Sequence, residues 1–285
     1  MPIAIENLSY IYMQGTPFEK AALKNVSLKI DDGEFVGIIG HTGSGKSTLI
    51  QHFNGLLKPT SGRVLINGID TVGKNLKELR RQVGIVFQYP EHQLFDETVY
   101  KDIAFGLYKQ KIPEEQVRRD VMQVIEAVGL KEDILEKSPF ELSGGQKRRV
   151  AIAGVLVMKP GILILDEPTA GLDPKGRDEL FGFIRKIHDT MGITVLLVSH
   201  SMEDIARLVN RVIVMNKGEI EVEGSVAEVF EDIRRLEGIG LSAPQVAYLM
   251  KGLKDLFPEI DDRAYTVAAA RDELLRHLKG RVSGS

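Results

Sequence analysis

The chain contains no cysteine, which excludes disulfides and thiolate-bound metal and fits a reducing compartment. It also contains no apolar run of bilayer length. The longest, Val150 to Met158, falls far short of the ~18 residues that a membrane span needs. Met1-Pro2-Ile3-Ala4-Ile5-Glu6-Asn7 lacks the basic and then apolar pattern of a signal peptide. Neither sign of charge dominates: 37 basic residues against 40 acidic ones leave −3. No global field then draws the chain to nucleic acid, and no nucleic-acid partner is expected. Long-period repeats and low-complexity segments are missing too. What remains is an ordinary globular composition, 43% hydrophobic and 27% charged over 285 residues. That length holds one large α/β domain with a small appendage, or two modest domains.

Against this background one stretch stands out. Gly40-His41-Thr42-Gly43-Ser44-Gly45-Lys46-Ser47 reads G-x-x-x-x-G-K-S, followed by Thr48. Phe35-Val36-Gly37-Ile38-Ile39 leads into it as a strand, and Thr48 to Phe53 leaves it with helical character. A phosphate-binding P-loop requires that context. Its glycines let backbone N–H groups turn toward phosphate oxygens, and the helix behind them presents its positive dipole end. Lys46 is then expected on the β- and γ-phosphates and the Ser47 hydroxyl on Mg2+.

Around the P-loop the pattern predicts a layered α/β fold. Ile3 to about Ile30 alternates apolar and polar residues, and with Gly62 to Gly68 it predicts a half-exposed, mostly antiparallel sheet. Tyr10, Tyr12 and Phe18 fall in this region, where aromatic rings serve either sheet packing or adenine stacking. Val83 to Phe87 is a strand that ends at Gln88. Thr98 to Val128 turns helical, with a new helix at Pro113, and reads as part of an inserted subdomain.

Leu142-Ser143-Gly144-Gly145-Gln146 runs straight into the helix that begins Lys147-Arg148-Arg149. Paired glycines at a helix start are an ordinary cap or a second anion site. Ile162 to Leu165 has no polar alternation, as in a parallel sheet covered on both faces, and ends in Asp166 and Glu167. Ligands lie at that end of such strands. Asp166 suits Mg2+ coordination, and Glu167 suits activation of a water. Thr194 to Val198 is a second buried strand, carrying His200 to the same edge, and Val212 to Ile220 reads as a closing hairpin. In the tail, Val267, Ala270, Leu274 and Leu278 share one helical face, as a dimer contact or as packing on the parent domain.

These motifs together resemble the ATP-binding subunits of ABC transporters, over residues 3 to about 230. Gly40–Ser47 matches Walker A, Gln88 the Q-loop and Leu142–Gln146 the signature. Ile162–Asp166 with Glu167 matches Walker B and its trailing glutamate, Gly171-Leu172-Asp173 the D-loop, and His200 the switch histidine. A finer likeness is carried by Phe87-Gln88-Tyr89-Pro90-Glu91-His92-Gln93-Leu94-Phe95 and by Thr98 to Gly106. Both look like the ATPases of energy-coupling-factor (ECF) importers. Gly15–Phe18 and Gly40–Thr60 resemble the second of their two ATPase subunits, and Leu236 to about Lys279 their small C-terminal region.

The resemblance implies a RecA-like P-loop core with an N-terminal antiparallel β subdomain, all within an ATPase domain spanning 1–235. It also implies an inserted helical signature subdomain at about 90–158 and a small C-terminal domain over 236–280. Residues 281–285 are expected to form a flexible tail.

Two ATPase subunits, identical or paralogous, would meet head to tail, so that Leu142–Gln146 acts on the partner's ATP. ATP and Mg2+ are the implied cofactors, with Tyr12 stacking on adenine. Ser47, Gln88 and Asp166 would serve the metal, Glu167 would be the general base, and His200 would hold the γ-phosphate. Asp173 belongs to the D-loop. The remaining partners would be a transmembrane coupling subunit and a substrate-binding membrane subunit. The chain would then sit peripherally on the cytoplasmic face of the membrane, energising import of vitamins or transition-metal ions. Another ABC importer or exporter, or a non-transport ABC ATPase, stands as the alternative. Chromosome-maintenance ATPases, however, separate these motifs with long coiled coils, and no heptad stretch lies between Gly40 and Asp166.

Overall fold

The computed structural model describes residues 2–74 and 76–282. The chain opens with two long antiparallel strands, β1 (Ile3–Tyr12) and β2 (Lys20–Ile30), and then enters β3 (Phe35–Ile39) and helix α1 (Lys46–Phe53). Strands β4 (Ser61–Ile66) and β5 (Ile69–Asp70) precede helix α2 (Leu76–Gln82) and strand β6 (Val83–Val86). Three helices follow before the next strand: α3 (Val99–Lys109), α4 (Glu114–Ala127) and α5 (Gly144–Leu156). Strand β7 (Ile162–Asp166), helix α6 (Pro174–Met191), strand β8 (Thr194–Val198) and helix α7 (Met202–Leu208) then alternate. The hairpin β9 (Arg211–Asn216) and β10 (Glu219–Ser225) leads to helices α8 (Val226–Glu231), α9 (Ile233–Gly238), α10 (Gln245–Leu256) and α11 (Val267–Val282).

The strands form two sheets, ordered β2-β1-β4-β5 and β10-β9-β3-β8-β7-β6. The first is antiparallel, with Ile5 opposite both Leu28 and Val64. In the second, β9, β3, β8, β7 and β6 run parallel and only β10 is antiparallel. Both faces of the second sheet are covered. Phe35 and Ile39 of β3 face a core shared with α3–α9, while Val36 and Ile38 face the antiparallel sheet and α1. Burial on both sides explains why these strands lack polar alternation.

Since the parallel strands point the same way, the residues just beyond β3, β6, β7 and β8 emerge along one edge. Strand ends therefore bring Gly40, Gln88, Asp166 and His200 together, although they are spread over much of the chain.

The tail differs from its helical pattern. Ala270 and Leu274 pack on the small cluster of Met250, Ile260 and Ala264, whereas Val267 is 77% exposed and Leu278 57% exposed. That cluster reaches only the middle of α11, so the ends of the apolar stripe are left uncovered. Arg281 and Val282, expected in a flexible tail, are the last residues of α11, and residues 283–285 lie outside the described residues.

Candidate functional site

Between β3 and α1 the chain passes within contact of two other backbones, and glycine is required where it does. Gly45 has φ +107°, and a Cβ there would meet the Ala22 carbonyl at 2.8 Å. A Cβ on Gly40 would press on the Met215 carbonyl and on the Ser44 hydroxyl. Helix α1 starts directly behind this loop, so its first N–H groups have no intrahelical acceptor and face the cleft with the positive end of the dipole. Lys46 Nζ donates to the carbonyls of Gly40 (2.6 Å) and His41 (3.1 Å), which folds the ammonium back over the loop. Burial pulls the Lys46 pKa down, opposed by the charges of Glu167 and Asp166.

Opposite the loop, Asp166 ends β7 half-buried. Burial raises its pKa, the neighbouring Glu167 charge raises it further, and Lys46 with the Ser47 hydroxyl pulls the other way. The Glu167 backbone sits at φ +51°, a left-handed conformation that non-glycine residues rarely adopt. It is pinned there by Glu167 N–H to the Val198 carbonyl (3.0 Å) and by Ala170 N–H to the Glu167 carbonyl (3.1 Å). From the end of β8, the exposed His200 places Nδ1 at 2.7 Å from Glu167 Oε2. A carboxylate oxygen can only accept, so Nδ1 carries the proton in this contact.

These groups line one cleft of ≈ 670 Å³. Gly40–Gly43, Gly45–Thr48, Gln88, Asp166, Glu167 and His200 all face it. Ser44 does not: it is fully buried, and its N–H is bonded to the His41 carbonyl. Tyr12 forms one wall, with its hydroxyl 3.2 Å from the Thr48 hydroxyl and Tyr10 packed edge-on at 4.8 Å. Sequence reasoning missed Lys20, Met202 and the turn Gly240-Leu241-Ser242, which also line the cleft. That turn lies far along the chain from the P-loop and carries no local signal; just after it, Gln245 N–H donates to Glu203 Oε1 of α7 at 3.2 Å, which ties the segment beside the cleft.

The signature residues and Asp173 do not line this cleft. Ser143 caps α5 in a reciprocal capping box, accepting from Gln146 N–H (3.3 Å) and donating its own N–H to Gln146 Oε1 (3.0 Å). Leu142 is buried, while Ser143, Gly144 and Gly145 are exposed with open space beside both glycines. Asp173 caps α6, accepting from Gly176 N–H at 2.7 Å. The Ser47 hydroxyl, the Asp166 carboxylate and the Gln88 amide put hard oxygen donors on the cleft. No group of three or more His, Asp or Glu side chains suited to a metal occurs among the described residues.

The family model described as ABC transporter matches residues 23–170. The energy-coupling factor transporter ATP-binding protein EcfA2 of Acetivibrio thermocellus is 62% identical over 98% of this chain and 99% of its own. The protein of the same name from Clostridium perfringens is 54% identical over 98% and 99%. Among solved structures, cbiO1 from Clostridium perfringens, described as part of the ABC transporter complex cbiONQ, superposes with a TM-score of 0.75. It is 41% identical and covers 88% of this chain and 98% of that one. The ATP-binding cassette MJ0796, solved as a dimer bound to ADP and Pi, gives 0.70 at 34% identity over 79% and 98%. With the P-loop, its opposing acids and the signature helix already in place, these matches settle the family: the chain belongs to the ABC transporter ATP-binding proteins, within the energy-coupling factor group.

Proposed function

We propose that the chain binds and hydrolyses ATP to energise an ECF-type membrane importer of vitamins or transition-metal ions, through ATP-driven closure of an ATPase dimer. The observation that carries this reading is the Glu167–His200 pair across the cleft from Lys46, with the signature glycines outside it. A second anion cradle that lies outside its own cleft would complete the site of another subunit.

Lys46 and the N–H groups of α1 would bind the phosphates, and Tyr12 would stack on adenine. Ser47, Asp166 and Gln88 would hold Mg2+, which suits a small oxygen set because this ion keeps several waters and takes phosphate oxygens. Bound there, the ion would offset charge on the β- and γ-phosphates. Glu167 accepts a proton from the water attacking the γ-phosphorus, and the bond to the bridging oxygen breaks to leave ADP and phosphate. His200 releases Glu167 and turns to the γ-phosphate.

Residues 1–235 form the ATPase domain with 90–158 inserted, and 236–280 form a small C-terminal domain. Its exposed Leu249, Leu256 and Val267 suit a dimer contact. For the membrane subunits, a groove of ≈ 300 Å³ runs between Gln93–Phe95, α3 and α5. Leu94 packs into the core there, while Phe95 is 63% exposed and stacks edge-on with Phe105 at 5.1 Å. Among the described residues no helix is long and apolar enough to cross a membrane. The likeness to energy-coupling factor transporter ATP-binding proteins supports a peripheral place at the cytoplasmic face, beside a coupling subunit and a substrate-binding subunit.

Glu167→Gln tests the reading. ATP binding should persist while turnover falls by about 10²–10⁴-fold, the usual contribution of a general base. Turnover near wild type would remove Glu167 from the role.

A further inference from the structure

Arg148 is 4% exposed, among the most buried charges in the described chain. A guanidinium is placed there only with full compensation. It has that compensation, from two segments remote in sequence. Nε and Nη2 grip Glu91 bidentately at 3.0 and 2.7 Å, Nη1 donates to the Pro168 carbonyl at 2.8 Å, and Nη2 donates to the Ala170 carbonyl at 2.9 Å. Local preference does not explain the residue. Lys147, Arg148 and Arg149 crowd cations into the start of α5, the end of a helix that disfavours them.

The two gripped segments share an unusual feature. Each begins with a non-glycine residue in the left-handed region: Tyr89 at φ +56°, two residues before Glu91, and Glu167 at φ +51°, one residue before Pro168. Such conformations persist only where neighbouring structure over-determines them. Arg148 lies at the junction, holding carbonyls one and three residues after Glu167. Glu91 itself belongs to the short 3-10 turn Pro90–Gln93 that borders the Phe95 groove.

We propose that Arg148 is a positioning residue that makes the Glu91 turn and the Pro168–Ala170 loop move as one piece, so that a shift at the Phe95 groove changes the placement of Glu167. The proposal rests on the reading of Glu167 as general base and of the groove as the partner surface. Arg is required because its planar fork serves a carboxylate and two carbonyls together, which the single ammonium of Lys does not.

The test uses the full-length chain with Arg148→Lys, Glu91→Gln and both together. Hydrogen exchange of amides over 167–173 should speed up about tenfold or more in Glu91→Gln, although that substitution lies far away in sequence. ATP turnover should fall about tenfold in each single variant with KM for ATP changed less than about twofold. The double variant should be no worse than Arg148→Lys. Unchanged exchange over 167–173 overturns the proposal, as do additive losses, or a lowered melting temperature with wild-type turnover and exchange. Exchange is read without any activity, so failure of Glu167→Gln to stop turnover sinks the base assignment separately.

Discussion

At the residue scale, Glu167 combines the carboxylate proposed as general base with a backbone angle that side chains avoid. A left-handed non-glycine residue costs about 1–3 kcal/mol, and here the cost is met by hydrogen bonds from both flanks. Nothing in a run of Leu-Asp-Glu-Pro announces that angle, because it follows from the pull of β8 on the strand end. Tyr12 is a second case. Its alternation within β1 suits either sheet packing or a ligand wall, and the fold decides by setting its hydroxyl on Thr48. If the ring stacks on adenine, Tyr12→Ala should weaken ATP binding by about 1–3 kcal/mol, the usual range for base stacking. Tyr12→Phe should stay within about twofold of wild type. Isothermal titration with ATP distinguishes the two, and equal losses would assign the effect to the hydroxyl instead.

Elements add what single residues do not. Helix α5 begins with a capping box, exposed glycines and three cations, so its start is a capped helix end that could also take the anion proposed for it. The Arg148–Glu91 bridge fastens that helix to the strand ends behind it. Burial opposes the charge on Glu91, and the hydrogen bonds and charge of Arg148 outweigh it, holding the carboxyl below its ordinary value of 4.5. A carboxylate with a lowered folded pKa stabilises fully above its unfolded value, and loses that stabilisation as pH falls through the folded one. Wild type should therefore exceed Glu91→Gln in urea stability by about 1.5–3 kcal/mol at neutral pH, the range for charged hydrogen bonds. The gap should be unchanged down to about pH 5 and close only well below 4.5. A gap that is constant to pH 3 would show that the ion pair is not its source.

For the whole molecule, the informative fact is what the cleft does not contain. Lys46, Asp166, Glu167 and His200 converge, yet Ser143–Gly145 do not join them. A γ-phosphate held in this cleft would then be gripped from one side only until another subunit closes over it. Glu167→Gln with ATP should run as a dimer by light scattering, and with ADP as a monomer. A monomer under both conditions would assign the completing signature to a different ATPase chain.

The P-loop, the acids at the end of an apolar strand and the capped start of α5 were all legible in the linear pattern. Each is a local device: glycines that permit a tight turn, a run without polar residues that must be buried, and a serine three positions before its glutamine. The alternating segments likewise anticipated the antiparallel sheet. Other features needed the folded chain. Parallel strands had to bring Gly40, Gln88, Asp166 and His200 to one edge. The tie of Gln245 to Glu203 on α7 holds Gly240–Ser242 beside the nucleotide cleft. The Arg148 bridge and the strained angle at Glu167 depend on contacts between residues far apart in the chain, and long-range packing of that kind leaves no periodicity to read.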